Sequence, residues 1–369
     1  MQKTNALGES FQSIRYLWRH RKGQEVPAAV LDVLDALYAD KTKPLLIRKI
    51  KKENGWRLIF NIPPGVSFNE LKRKHDYFTD ATNAVVLFEK INGHLHLEMQ
   101  TAELKDHYPY AWNPEQYPKL HLPLPVGYTP SGLGVADLAA MPHLLIAGHP
   151  GAGKSNYLHT VVASLLLLPK PVYVCVVDFK KLEFAYLKQR ALVVTDMENA
   201  RNLLTALNRE MDSRLDALEK AGVVKIQDFQ GEMPFIVLVI DELAEMIDEH
   251  CQSQLNRILR LSRAAGICVV CATQRPSSTI FAKFGDSKAM FAANLCFKVR
   301  DEINSRMVLD NDRAAHLPQI PGRGVFQWED ETEVQSMFLP VNQAKKMLSK
   351  IQSRQVSRLE RQAKRLPPR

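Results

Sequence analysis

The sequence has no apolar stretch long enough to cross a bilayer. Its most apolar runs, 161–168 and 235–240, fall far short of the roughly 20 residues that a spanning helix needs. The opening Met1-Gln2-Lys3-Thr4-Asn5 continues into mixed polar residues, without the charged, apolar and small-residue succession of a secretory signal. A cytoplasmic protein is therefore expected, either brought to a membrane by a partner or never meeting one. Cysteine is sparse, five in 369 residues. Cys175, Cys268, Cys271 and Cys296 sit in apolar runs that read as strands and Cys251 on a helix, the setting of reduced core thiols. Cys268 and Cys271 form a CxxC, but Val269 and Val270 lie between them and no second Cys or His pair stands at ligand spacing, which argues against zinc or redox chemistry. Internal repeats and low-complexity tracts are also lacking, so solenoid and fibrous architectures are excluded.

Hydrophobic residues make up 46% and charged residues 24%, the balance of a globular chain with a substantial core. The net charge of +9 is unevenly placed. Residues 1–60 hold 12 basic against 6 acidic residues, residues 341–369 hold 9 against 1, and the part between holds 28 against 33. Basic ends on a slightly acidic body suggest extensions attached to a catalytic centre rather than a surface that binds nucleic acid everywhere. A basic tail is equally compatible with a solvated helix.

The first 110 residues read as a small α+β module. Val26, Val30, Val33, Leu34 and Leu37 form a helical stripe, followed by strand-like runs at 45–50 and 57–62. Ser67-Phe68-Asn69-Glu70 has the form of a capping box opening a helix to about residue 79. Asn92-Gly93, between runs 84–88 and 94–99, is a strong hairpin signal. The Pro- and Tyr-rich stretch 108–130 reads as a connector, placing a boundary near residue 110. From about 131 the pattern changes to alternating apolar strands and helices, the mark of a parallel sheet covered on both faces. The expected strands are 143–147, 171–178, 235–240, 267–273 and 295–299, with a helix through Leu203, Leu207, Met211, Leu215 and Leu218 stopping at Gly222. The tail after Val341 is expected to be helical until Pro367. The expected layout is thus a module over 1–110, a catalytic α/β domain over 111–340 and a basic tail over 341–369.

Gly148-His149-Pro150-Gly151-Ala152-Gly153-Lys154-Ser155 satisfies GxxxxGK[ST] and lies between a strand and a helix, where a phosphate-binding loop must lie. The glycines let backbone N–H groups turn inward, the helix N-terminus favours negative charge, Lys154 faces the β and γ oxygens, and Ser155 takes a magnesium ion. The loop residues through Asn156 form the candidate ATP site. About ninety residues on, a buried strand runs into Asp241 and Glu242. Two acids at such a place need water or metal to solvate them, so Asp241 is assigned to Mg²⁺ and Glu242 to polarising the attacking water. Gln274, ending a third strand, is placed to sense the γ-phosphate. Ahead of it, Arg260 and Arg263 close a basic helix end. The bland reading is dipole compensation; the sharper one is a finger reaching a neighbouring subunit's ATP.

Those motifs, with Val177-Asp178-Phe179-Lys180, Glu183, Arg263-Ala264-Ala265-Gly266-Ile267, Ala272-Thr273-Gln274-Arg275-Pro276-Ser277, Asn304-Ser305-Arg306-Met307-Val308-Leu309-Asp310 and Pro321-Gly322-Arg323-Gly324, resemble the FtsK/SpoIIIE motor domain over about 120–340. The resemblance implies a RecA-like P-loop ATPase with a parallel-sheet core, a hexameric ring, ATP sites between subunits and double-stranded DNA in the pore. It makes Arg263 the trans-acting arginine and Arg275 and Arg306 contacts to the DNA backbone, with Lys283 and Lys288 in the segment between them. Chromosome-segregating members carry a membrane anchor and a winged-helix domain that are not legible here, and Glu302 stands where they tend to have a basic residue. The compact layout, with Leu122-Pro123-Leu124-Pro125-Val126-Gly127-Tyr128, is more similar to translocases of conjugative and other mobile elements. A relaxase or a membrane-channel protein is then an expected partner. Two competing readings are an ATPase of the same core that moves or recognises protein substrates in a secretion system, and a non-motor ring stabilised by ATP. An intact Lys154, Asp241 and Glu242 speak against the second.

Overall fold

The computed structural model describes residues 26–39, 42–52, 55–82, 84–100, 104–130, 132–283 and 287–351. The chain divides into two compact units, one ending at Leu104 and the other beginning at Lys105.

In the first unit an antiparallel sheet runs in the order Leu45–Lys52, Gly55–Asn61, His94–Gln100, Val85–Ile91. Alternation along the strands sends Leu58, Phe60, Leu95, Leu97 and Met99 to one face, all fully buried, where they pack with Val30 and Leu34 of the helix Val26–Leu37 and Phe78 of the helix His75–Thr82. Burying each such side chain is worth about 1.5–3 kcal/mol. Asn92 and Gly93 both have positive φ, 50° and 83°, so the hairpin is closed by the tight turn that this dipeptide favours. The capping box does not form. Ser67 precedes the short helix Phe68–Arg73 without a side-chain cap bond, and the chain leaves the helical conformation at Lys74 before restarting at His75.

The second unit is built on a ten-stranded sheet. Six strands are parallel, in the order Leu192–Val194, Val172–Val177, Phe235–Ile240, Ile267–Thr273, His143–Ala147, Ala293–Phe297. Four antiparallel strands extend the last edge: Arg323–Gln327, Glu331–Gln335, Pro123–Thr129 and Gly132–Asp137. Alternate residues feed two cores, Leu144 and Ile146 on one face and Leu145 and Ala147 on the other. The helix Lys154–Leu166 covers the first face, while Met197–Lys220 and Glu249–Leu261 cover the second. Met197–Lys220 ends at Gly222, whose φ of 68° lets Val223 N–H reach back to the Leu218 carbonyl at 3.0 Å.

Two sequence expectations shift here. The last parallel strand occupies Ala293–Phe297 rather than 295–299, and the stretch read as a connector contains the strand Pro123–Thr129, with a register irregularity between Pro125 and Gly127. All five cysteines are free and buried, including the CxxC pair inside Ile267–Thr273, as expected of core thiols. The described part of the tail forms the helix Val341–Leu348. The tail beyond residue 351 lies outside the described residues.

Candidate active site

Because the central strands are parallel, their carboxyl ends share one edge, and the residues that follow them converge there. His143–Ala147 delivers the phosphate-binding loop. Gly148, Gly151 and Gly153 have φ values of 155°, 83° and 110°, and a Cβ on Gly153 would stand 2.6 Å from the backbone nitrogen of Gly322. Gly322 closes the loop from behind: its N–H donates to the Ala152 carbonyl at 2.8 Å, and its carbonyl accepts from Ser336 N–H at 2.8 Å. The Pro321-Gly322 turn is therefore a buttress of the phosphate loop.

Lys154 is buried and donates to the Gly148 carbonyl at 2.7 Å. Burial lowers its pKa to about 8; Glu242 and Asp241 pull it up, and Lys180 pushes it down. Asp241 and Glu242 end Phe235–Ile240, both about 95% buried, and burial raises both carboxyl pKa values. Glu242 accepts from the Gln274 backbone N–H at 3.2 Å on each carboxylate oxygen. Lys180 Nζ lies 3.4 Å from Asp241 Oδ2, yet that oxygen has no hydrogen-bond partner of normal geometry. That oxygen, which lacks a hydrogen bond of normal geometry, and Ser155, which lines the cleft, are hard-oxygen donors of the kind that fit a magnesium ion.

The cleft has a volume of about 520 Å³, within the range of small-molecule sites. Gly151, Gly153, Lys154, Ser155, Asn156 and Gln274 line it. Asn156 differs from expectation. Its side chain forms a two-way clamp on Leu339, donating to the carbonyl at 2.8 Å and accepting from the N–H at 3.1 Å. Its amide is thus a structural brace, and only the rest of the residue faces the cleft. His149 bends away likewise, its ring 2.6 Å from the Pro150 carbonyl.

Asp178, Lys180 and Glu183 have no role legible in the sequence, and the fold supplies one. Asp178 is fully buried and accepts from Lys181 and Phe184 N–H groups at 3.0 Å each, which shapes a loop that carries Lys180 and Glu183 to the cleft wall. Glu183 lies 3.4 Å from Nε2 of buried His159, whose Nδ1 is 3.0 Å from the Tyr186 hydroxyl. Burial lowers the His159 pKa to about 4, so the ring sits neutral between an acceptor and a hydroxyl.

The arginines are placed differently. Arg263 is exposed and sits before Ile267–Thr273, at the amino-terminal edge of the sheet, near enough to His143 for its charge to be felt there. His143 opens the strand whose far end carries the phosphate loop, roughly 13 Å away at the rise of a strand. Arg263 is therefore on the wrong edge to serve the phosphate loop of its own chain. Arg275 is exposed directly after Gln274. Arg306, on the helix Glu302–Leu309, is tied to Glu302 at 2.8 Å and to Asp312 at 3.6 Å. The side chains of Lys283 and Lys288 lie outside the described residues.

Residues 104–244 match the model of the FtsK/SpoIIIE family. The DNA translocase FtsK of Chlamydia pneumoniae is 34% identical over 226 residues, covering 54% of this chain and 28% of the relative. That of Chlorobaculum tepidum is 35% identical over 206 residues, covering 50% and 25%. The chain thus spans little more than a quarter of these relatives' length. Among solved structures, the pCW3 conjugation coupling protein TcpA, in a monomer form with ATPγS, superposes with a TM-score of 0.62 at 25% identity, covering 88% of this chain and 99% of that one. The cytoplasmic domain of the type VII secretion ATPase EccC of Thermomonospora curvata shares the fold, with a TM-score of 0.58 at 22% identity over 72% of this chain and 34% of that one. The larger unit has a P-loop ATPase fold, and over residues 104–244 the chain is similar to the FtsK/SpoIIIE family.

Proposed function

We propose that this chain is an ATP-driven motor that moves double-stranded DNA as a ring, and that it serves the transfer of a conjugative or other mobile element. The observation that carries the reading is the convergence of Lys154, Ser155, Asp241, Glu242 and Gln274 on one strand edge while Arg263 stands at the other. Each subunit then owns the phosphate loop, the Mg²⁺ ligands and the water-orienting carboxylate, and lends its arginine to the next. Such a site hydrolyses ATP only when assembled, which suits a hexamer whose subunits act in turn. Asp241 and Ser155 would hold Mg²⁺, which would supply charge neutralisation to the phosphates. Glu242, fixed by the Gln274 N–H, would orient the attacking water and accept its proton.

The likeness to FtsK translocases and to a conjugation coupling protein over nearly its whole length supports DNA as cargo and transfer as the role. Contacts from Arg275, Arg306 and Lys283 to phosphates would be sequence-independent and sensitive to salt. The module before Lys105 is the proposed docking point for a relaxase or membrane-channel partner. A second reading, a motor for protein substrates, is favoured by one observation: Glu302 and Asp312 already engage Arg306, which weakens its grip on a polyanion. Displacement of a third strand from a triplex-bearing duplex, dependent on ATP and lost in Glu242→Gln, tests the DNA reading. ATP turnover without displacement would favour the polypeptide reading.

A further inference from the structure

The cleft has two ends, and the residues above account for only one of them. Across the sheet the order of strands is the order of the cleft walls. Lys180, Asp241, Glu242 and Gln274 follow the strands on one side of the phosphate loop. On the other side, where the strands alternate in direction, Gly322 precedes Arg323–Gln327, Gln335 ends Glu331–Gln335 and Ser336 follows it. A nucleoside triphosphate whose γ-phosphate points toward Glu242 must therefore lay its base toward Ser336 and beyond. There the lining consists of Asp106, His107, Met337 and Phe338.

Phe338 is 47% exposed while its neighbour Met337 is 1% exposed, as alternation along a strand dictates. An exposed phenylalanine taken alone needs no explanation. This one is held by backbone pairing and by side chains of the phosphate-loop helix. Met337–Phe338 pairs in parallel with Tyr108–Pro109, and Tyr110 N–H donates to the Phe338 carbonyl at 3.0 Å. Three polar residues one turn apart on the phosphate-loop helix grip this ribbon: Asn156 clamps Leu339, Thr160 donates to the Met337 carbonyl at 3.4 Å, and the Ser164 hydroxyl lies 3.0 Å from that of Tyr110. Buried Arg323 donates to the Lys105 carbonyl at 3.3 Å and so fixes the approach to His107. The helix that presents Lys154 and Ser155 to the phosphates thus also sets the distance to an aromatic ring at the cleft's far end. The His107 imidazole stands beside that ring, centroids 5.4 Å apart and planes tilted by 54°.

We propose that Phe338 and His107 form the platform for a purine base, with Phe338 stacking on the ring and His107 closing its edge. The proposal rests on the ATP reading above and adds the residues that tell a nucleotide from a bare polyphosphate. Aromatic stacking on a base contributes enough that its removal should weaken binding roughly tenfold.

Calorimetric titration of the full chain with Mg·ATP and, separately, with inorganic tripolyphosphate tests it. Wild type is expected to bind Mg·ATP more tightly than tripolyphosphate. Phe338→Ala should weaken Mg·ATP about tenfold and leave tripolyphosphate unchanged, Phe338→Trp should keep Mg·ATP binding, and His107→Ala should show a smaller, equally selective loss. Equal loss of both ligands in Phe338→Ala would make the residue merely structural and overturn the platform. Equal affinity of wild type for both ligands would overturn it while leaving the phosphate site intact. No binding of either would remove the phosphate site and the platform together.

Discussion

The backbone N–H of Gln274 points at the carboxylate of Glu242, 3.2 Å from each oxygen. The two residues, proposed above to orient water and to sense the γ-phosphate, are thereby held in register across neighbouring strands. A neutral amide at 242 can keep the packing but cannot take a proton. Glu242→Gln should retain ATP binding and lose hydrolysis by a factor of about 10²–10⁴, measured as Kd and as steady-state turnover. Equal turnover in the two proteins would remove Glu242 from its role.

Lys154 should be indispensable for nucleotide binding, and its buried setting gives a pH signature. Its pKa, lowered to about 8 chiefly by burial, means that the ammonium that meets the phosphates is lost as pH rises through 8. ATP affinity of the nucleotide-free chain should be flat from pH 6.5 to 7.5 and roughly tenfold weaker at pH 9 than at pH 7. Lys154→Ala should abolish binding at every pH.

Arg263, on the edge of the sheet remote from its own phosphate loop, should act only on a neighbour. Arg263→Ala is expected to lose hydrolysis by about 10³ or more with ATP affinity unchanged. Mixing it with Lys154→Ala should restore activity, because some interfaces then pair an intact loop with an intact arginine. A mixture as inactive as its components would contradict a shared site.

His143 is buried with neither ring nitrogen hydrogen-bonded; the Leu259 carbonyl is close but not at bonding geometry. Burial lowers its pKa to about 4. The unfolded chain takes a proton near pH 6.5 that the folded chain refuses, so this residue removes stability as pH falls from 6.5 toward 4, at up to about 1.4 kcal/mol per pH unit. His143→Leu should flatten that acid limb in denaturant titrations and stabilise the chain at neutral pH by about 1 kcal/mol.

The central strands were legible where apolar runs end in sharp punctuation. Phe235–Ile240 stops at Asp241, and Ile267–Thr273 runs from Gly266 to Gln274, so their bounds are those expected. Ala293–Phe297 was misplaced because Ala293 and Asn294 carry little strand signal while Lys298-Val299 prolongs the apparent run. Pro123–Thr129 was read as a connector because Pro123, Pro125 and Gly127 are turn residues in most settings. Here both prolines stay in register opposite Asp137 and Val135, the irregularity comes only after Pro125, and Gly127 allows the close approach of Gln335, whose carbonyl oxygen a Cβ would meet at 3.0 Å. Motif spacing also brought out the phosphate end of the site. The far end was invisible, because Tyr108–Pro109 and Met337–Phe338 are dipeptides more than 200 residues apart, with no periodicity to betray their pairing. Asn156 adjoins the motif, and only the fold reveals that its amide faces Leu339.

The most direct test of the motor reading is the steady-state ATPase rate of the purified chain with and without long double-stranded DNA, at low and at moderate salt. A DNA motor predicts strong stimulation by duplex that fades as salt rises, since the contacts are to phosphates. A rate indifferent to duplex at both salt concentrations would contradict it.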